Sequence, residues 1–186
     1  MRVSREEMEK SHARIVASAS RLARERGIEN TSVAEVMGDA GLTQGGFYRH
    51  FESKDALMQA AVASAFEVMG DALAQRFETR DPRSAASGYR ADYLHHVHVE
   101  NPGKGCPMPT LAADVARGSD ALKAAFGAGV SRAAALLASA QQGTQAEKRA
   151  QAMRELAMLV GAVVIARASD PETARAVLAA CRVEGQ

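Results

Sequence analysis

Tryptophan is absent from this chain, aromatic residues make up only 4% of its 186 positions, and proline occurs five times. Runs that alternate valine, isoleucine, threonine and tyrosine are missing as well, which excludes the β-rich classes. Two cysteines, Cys106 and Cys181, match neither a zinc spacing nor a disulfide framework, so a reducing, cytoplasmic compartment is expected. Charge of one sign is also lacking. The formal net charge is +1, and residues 1–56 hold nine basic and nine acidic side chains. If a polyanion is recognised there, the placement of charge must do it, because the total does not. The longest apolar run, "AMLVGAVVIA" at 157–166, is too short to cross a bilayer, and Met1 opens a polar stretch unlike a secretory signal. No membrane association is expected.

What remains is a chain that is 47% hydrophobic, rich in alanine and leucine at helical spacing. An all-α protein is expected, with about nine helices. Ile15, Val16, Ala19, Leu22 and Ala23 mark a first helix that stops at Gly27. Asn30-Thr31-Ser32 offers a cap for a short second helix ending at Ala40-Gly41, and Thr43 caps a short third. Ser53 opens a longer helix towards Phe77, and Asp81-Pro82 opens another running to about Val99. After the loop "ENPGKGCPMP", helices are expected over 110–117, from Ser119 to about Gln142, from Thr144 (a capping box with Glu147) to about Ala168, and from Pro171 to near Cys181. The division expected is a module of residues 1–55 followed by a larger helical bundle over 56–186.

Two short helices joined by Ala40-Gly41-Leu42 form a helix-turn-helix pattern. The second of them begins with two adjacent glycines, each costing a helix interior roughly 1 kcal/mol relative to alanine. In such a pattern the second helix enters the DNA major groove. Gly45 and Gly46 would let its start lie against the sugar-phosphate wall. Thr43 could donate to a phosphate and Gln44 could pair with adenine N6/N7. Tyr48, Arg49 and His50 could hydrogen-bond phosphate, and Lys54 stands at the next helix N-terminus, where an anion is already favoured. Phe47 and Phe51, four apart, are expected to face inward. The competing reading is a solvated helical hairpin with no nucleic-acid role.

The segment "RIVASASRLARERGIENTSVAEVMGDAGLTQGGFYRHFESKDAL" resembles the DNA-binding domain of the TetR family of bacterial transcriptional regulators. The resemblance rests on Ile15, Ala19, Gly27, Thr31, Val36, Ala40, Gly41, Leu42, Thr43, Gly45, Phe47, Tyr48, His50, Phe51, Lys54 and Leu57. Ala23 departs from it, where a phenylalanine or leucine is usual. The resemblance implies a homodimer that reads a palindromic double-stranded DNA operator. It also implies that Thr43, Gln44, Gly45, Tyr48, His50 and Lys54 fall at DNA-contacting positions; Gly46, Arg49 and Thr31 are counted with them. A C-terminal half that dimerises and encloses a small-molecule effector is implied too.

In that half, "ELAMLVGAVVIARA" is apolar nearly all round a helix and "TARAVLAACR" is amphipathic, a pair suited to a four-helix dimer interface. Tyr89, Tyr93 and His96 fall at i, i+4, i+7 and could line a pocket or pack in the core. Cys106, near Lys104 and a helix start, could be an oxidant- or electrophile-responsive thiol with Met108 beside it, or a small buried residue. Cys181 is expected in the core. His95 and His98, three apart, make too weak a ligand set for a metal to be expected. No nucleophile elbow or phosphate loop is present, so neither enzyme activity nor a cofactor is expected. A regulator released by a small molecule is the leading reading. A switch at Cys106 is one alternative, and a helical carrier of small molecules or metal without a DNA role is the other.

Overall fold

A computed structural model describes residues 5–182; the polar start at Met1 lies outside them. The described residues form nine α-helices, two short 3₁₀ helices and no strand. The helices are α1 (Arg5–Arg26), α2 (Val33–Asp39), α3 (Lys54–Thr79), α4 (Pro82–Tyr93) and α5 (His96–Glu100). They continue as α6 (Met108–Arg117), α7 (Asp120–Ala138), α8 (Gln145–Ala168) and α9 (Pro171–Arg182). The 3₁₀ helices cover Gln44–Arg49 and Pro102–Lys104. The all-α expectation is met.

Most boundaries follow from side chains that satisfy the free N–H groups at helix starts. Ser32, Ser53, Asp81, Ser119 and Thr144 each accept a bond from the third residue on, and Glu35 and Glu147 complete reciprocal capping boxes at α2 and α8. Helix α1 stops at Gly27, whose φ of +87° is a conformation that favours glycine.

Two elements differ from expectation. The third helix is 3₁₀ rather than α, and Thr43 makes no side-chain cap bond there; the glycine pair at its start gives little support to an α-helical ladder. The helix expected to reach Val99 breaks after Tyr93. The Arg182 guanidinium donates to the Leu94 carbonyl at 2.6 Å, and the His95 ring nitrogen Nδ1 accepts from the Val97 N–H at 3.4 Å, so the chain restarts as α5.

Packing centres on the long helix α3, which lies against α7 on one side and α1 on another, while α8 pairs with α9. Helices α3 and α7 each have the length and apolar content of a membrane span, but in this fold they are packing partners. Their approach depends on glycine: a Cβ at Gly129 would stand 2.1 Å from the Phe66 ring, which also meets Phe126 edge-on at 5.2 Å. Arg132 of α7 lies over Gly70 and donates to Asp71 at 2.6 Å. The buried apolar side chains form one cluster from Ile15 to Leu178, continuous across residue 55. Three polar ties run alongside it. Ile28 N–H donates to Asp114 at 2.7 Å, Ser119 donates to Asp55 at 2.9 Å, and Arg24 donates to the Gly105 carbonyl at 2.9 Å.

Gly129→Ala should therefore lower the unfolding free energy by about 1–3 kcal/mol through overpacking. Gly127→Ala, two residues away with nothing within 4 Å of its Cβ, should raise it by up to about 1 kcal/mol. Urea denaturation of the two variants checks both signs.

Candidate nucleic-acid interface and ligand cavity

Residues 32–54 turn an exposed edge outward by anchoring a few side chains inward. Gly41 adopts φ +70° in the tight turn after α2, and the Leu42 N–H returns to the Met37 carbonyl at 2.8 Å. Phe47 and Phe51 are buried as expected, their rings 6.0 Å apart, and His12 of α1 stacks on Phe51 at 4.6 Å. The Ser18 hydroxyl donates to Asp39 at 2.6 Å, as does Arg21, so α1 and α2 are clamped together. Those two donors hold the Asp39 carboxyl below its ordinary pKa, Ser18 contributing most.

With Phe47 inside, its neighbours face solvent: Thr43, Gln44, Gly45, Tyr48 and Arg49 are exposed, Tyr48 at 80%. Gly46, His50 and Lys54 are half-buried at the same edge. Burial, reinforced by the charges of His12 and Arg49, lowers the His50 pKa. Neither Gly45 nor Gly46 has a left-handed φ. A Cβ on Gly45 would meet nothing within 4 Å, and one on Gly46 would make only an ordinary contact with Met37.

Thr31 is a correction. It is fully buried, and its hydroxyl donates to the Gly27 carbonyl at 2.8 Å, closing the α1–α2 turn. It offers nothing to an external partner. The exposed residue at that position is its neighbour Ser32, the true cap of α2, which sequence reasoning left out of the candidate set. The reciprocal Glu35 three residues on was the available signal.

Charge placement resolves the neutral total. Along α1, Arg5, Lys10, Arg14, Arg21 and Arg26 are each paired with a carboxylate. Among the described residues Arg49 has no carboxylate partner, and Lys54 reaches only the Glu29 carbonyl at 3.3 Å. Arg24 is turned inward onto the Ser20 and Gly105 carbonyls, so the cations left without a carboxylate on the exposed edge are those of the turn.

A cavity of about 280 Å³ opens among α1, α3, α4 and the 3₁₀ turn at Pro102–Lys104. Val68, Met69 and Leu73 of α3 form its apolar wall, and Arg24, Tyr89 and Tyr93 contribute polar ends. Tyr89 and Tyr93 stand side by side, their rings 5.5 Å apart. Their hydroxyls are shut off from solvent with no oxygen or nitrogen partner; that of Tyr93 meets only the weakly bonding Cys106 thiol. Burial raises both phenol pKa values, so both keep their protons.

His96 is exposed and does not line this cavity, because the break at His95 takes it off the α4 stripe. His98 takes its place. Its Nε2 accepts from the Cys106 N–H at 3.0 Å, which leaves Nδ1 to carry the proton donated to the Tyr93 carbonyl at 2.7 Å. Burial lowers its pKa and favours this neutral form. Met108 is buried in the core rather than at the cavity.

Cys106 lines the cavity but does not fit a reactive thiolate. It is 5% exposed, and burial pushes its pKa up to about 11 against the opposing effects of Tyr93, Met108 N–H, Arg167 and Arg24. Lys104 does not reverse that. Cys181 is half-buried rather than in the core. Among the described residues no three His, Cys, Asp or Glu side chains converge as metal ligands.

A short exposed turn after a glycine-turned helix, carried on a continuous helical bundle, defines a helix-turn-helix protein with a second all-helical half. Residues 15–61 match the family of bacterial regulatory proteins known as the tetR family. The HTH-type transcriptional regulator TtgR of Pseudomonas putida is 36% identical over 81 residues, 44% of this chain and 38% of that one. The chain thus matches under two fifths of the length of that relative. Over the whole fold it resembles reduced NemR of Escherichia coli (TM-score 0.76, 22% identity, 92% of this chain and 95% of that one). RolR in complex with resorcinol is more distant, with a TM-score of 0.56 at 24% identity over 96% of this chain and 89% of that one. The match to the tetR family is carried by residues 15–61, the part of the chain that holds the helix-turn-helix, and the solved structures share the fold of the whole.

A buried, protonated Cys106 predicts its chemistry. Iodoacetamide at pH 7.5 should alkylate it at well under a tenth of the rate measured in denaturant, since thiolate rather than thiol is the nucleophile. Peptide mass spectrometry of a time course reads this directly.

Proposed function

We propose that this protein is a DNA-binding transcriptional regulator, a repressor that binds a palindromic operator as a homodimer and is released by a small molecule. Residues 1–55 make the DNA-binding module, and 56–186 the sensing and dimerising half. Its setting is the cytoplasm. The observation that carries the reading is the pair Gly45-Gly46 beside an 80%-exposed Tyr48. Nothing inside the molecule requires glycine at either position, so the requirement is external: close approach of a surface to the backbone. A duplex supplies such a surface. Gln44 reads a base edge, while Thr43, Tyr48, Arg49, His50 and Lys54 hold phosphates.

Two further features support the assembly and its response. Helix α8 leaves Met158, Val164 and Ile165 exposed along one stripe, with Gly161 open between them, and exposed alanines of α9 lie alongside. A symmetry-related pair of these helices covers both stripes in a four-helix interface. Arg24 is a cavity residue that belongs to α1, so an occupant touches the DNA-binding module directly. A ligand that prefers one setting of α1 shifts the population of recognition turns able to engage two half-sites. RolR, of the same fold, has been solved with resorcinol, a single-ring ligand.

The division of labour at the turn has a test. Gln44→Ala should cost roughly 1–3 kcal/mol on the preferred site and relax sequence preference. Lys54→Ala should weaken all duplexes alike and flatten the dependence of affinity on salt. Fluorescence anisotropy across a salt series separates the two; identical behaviour would refute the assignment. Gly45→Ala should leave the urea midpoint unchanged or raised while weakening DNA binding at least tenfold. Undiminished binding by that variant would remove the central support for the reading.

A further inference from the structure

The cavity's chemistry names the class of molecule it takes, an inference that rests on the ligand-responsive reading above. Its volume, about 280 Å³, lies just below the roughly 300–1,000 Å³ usual for ligand pockets, enough for a single ring or short chain. One wall is aliphatic. The other end is lined by Tyr89 and Tyr93, whose protonated hydroxyls are buried behind the cavity surface without an oxygen or nitrogen partner, that of Tyr93 resting on the Cys106 thiol. A buried hydroxyl without a partner carries a penalty of about 1–3 kcal/mol, which an acceptor on a ligand removes.

The charges around that end are mostly positive. Arg24, Arg76 and Lys104 line the cavity against one carboxylate, Asp92, which is taken up by Arg76. Arg24 spends its hydrogen bonds on the Ser20 and Gly105 carbonyls, and the carboxylate whose charge acts on it, Glu25, is bonded to Arg21 instead; Lys104 has no carboxylate partner among the described residues. Two buried donors and two cations with no carboxylate bonded to them, at one end of an apolar cavity, call for an anionic acceptor. We propose that the cavity binds a small monocarboxylate with an apolar body, its oxygens accepting from Tyr89 and Tyr93 and its charge facing Arg24 and Lys104.

The absence of tryptophan makes the test direct, because two of the three tyrosines lie in the cavity and dominate any ligand-induced change in intrinsic emission. The protein is titrated at constant ionic strength with benzoate, phenylacetate and hexanoate, and with the matching amides. At least one carboxylate should give a saturable change, binding tenfold or more tighter than its amide. Lys104→Met, a change at an exposed position, should weaken that carboxylate several-fold without altering the unfolding midpoint. Tyr93→Phe should weaken both carboxylate and amide. Equal binding of acid and amide, or no saturable response to any of the three acids, overturns the proposal. DNA affinity of the same preparation is measured in parallel. Duplex binding without carboxylate binding sinks this inference alone, whereas carboxylate binding without duplex binding sinks the regulator reading and leaves the site.

Discussion

Helix α3 can lie against α7 only because position 129 carries no side chain. Phe66 fills the place where a Cβ would stand, and Arg132 lies over Gly70 on the other helix. Much else depends on that contact, since α3 serves both halves of the molecule. Its first turn carries Lys54 and Asp55, the latter tied to Ser119 at the start of α7. Its middle supplies the cavity wall of Val68, Met69 and Leu73. The α3–α7 crossing therefore fixes the distance and angle between the exposed turn and the cavity. Interiors packed to crystal-like density transmit such displacements instead of absorbing them.

A second layer of control comes from arginines that bind backbone carbonyls. Arg182 holds Leu94, Arg167 holds both His98 and Val99, and Arg24 holds Gly105. Together they pin the stretch from α4 to α6, where the chain has little regular structure of its own. His98 completes the arrangement, bridging the Tyr93 carbonyl and the Cys106 N–H in a single tautomer. Half-burial lowers the pKa of Arg24 and Arg167, yet each stays charged, because hydrogen bonds to carbonyls satisfy the guanidinium without neutralising it. Two of these arginines come from the C-terminal helices proposed to dimerise and one from the proposed DNA-binding module. The cavity floor is thus held from both directions.

Sequence periodicity and capping residues made the helical fold legible. Gly27, Ser32, Ser53, Asp81, Ser119 and Thr144 act locally, and each boundary falls close to where its residue marks it. The inward set of the turn was legible for the same reason, since Phe47 and Phe51 are one helical turn apart. What escaped was set by contacts distant in the chain. The break at Leu94 depends on Arg182, 88 residues away, and it removed His96 from the cavity and brought in His98. Thr31 and Ser32 are adjacent and chemically alike, and the Glu35 that marks Ser32 as the cap was the one local signal separating them. Cys106 looked activated from its neighbours in sequence, whereas its burial arises from Tyr93 and the packed α4–α6 region, which spacing does not reveal.

The pairing of a neutral module with Arg49 and Lys54, neither bonded to a carboxylate, at its exposed turn means that the proposed DNA binding depends on where charge sits. With net charge near zero, long-range attraction to any polyanion is weak, so under the proposed reading the contacts of the turn itself would have to carry affinity and selectivity. Selection of bound fragments from a random duplex pool by the purified protein tests this most directly. The account predicts enrichment of an inverted repeat whose half-sites lie about one or two helical turns apart, on the order of 10 or 20 base pairs. A recovered pool indistinguishable from the input would contradict it.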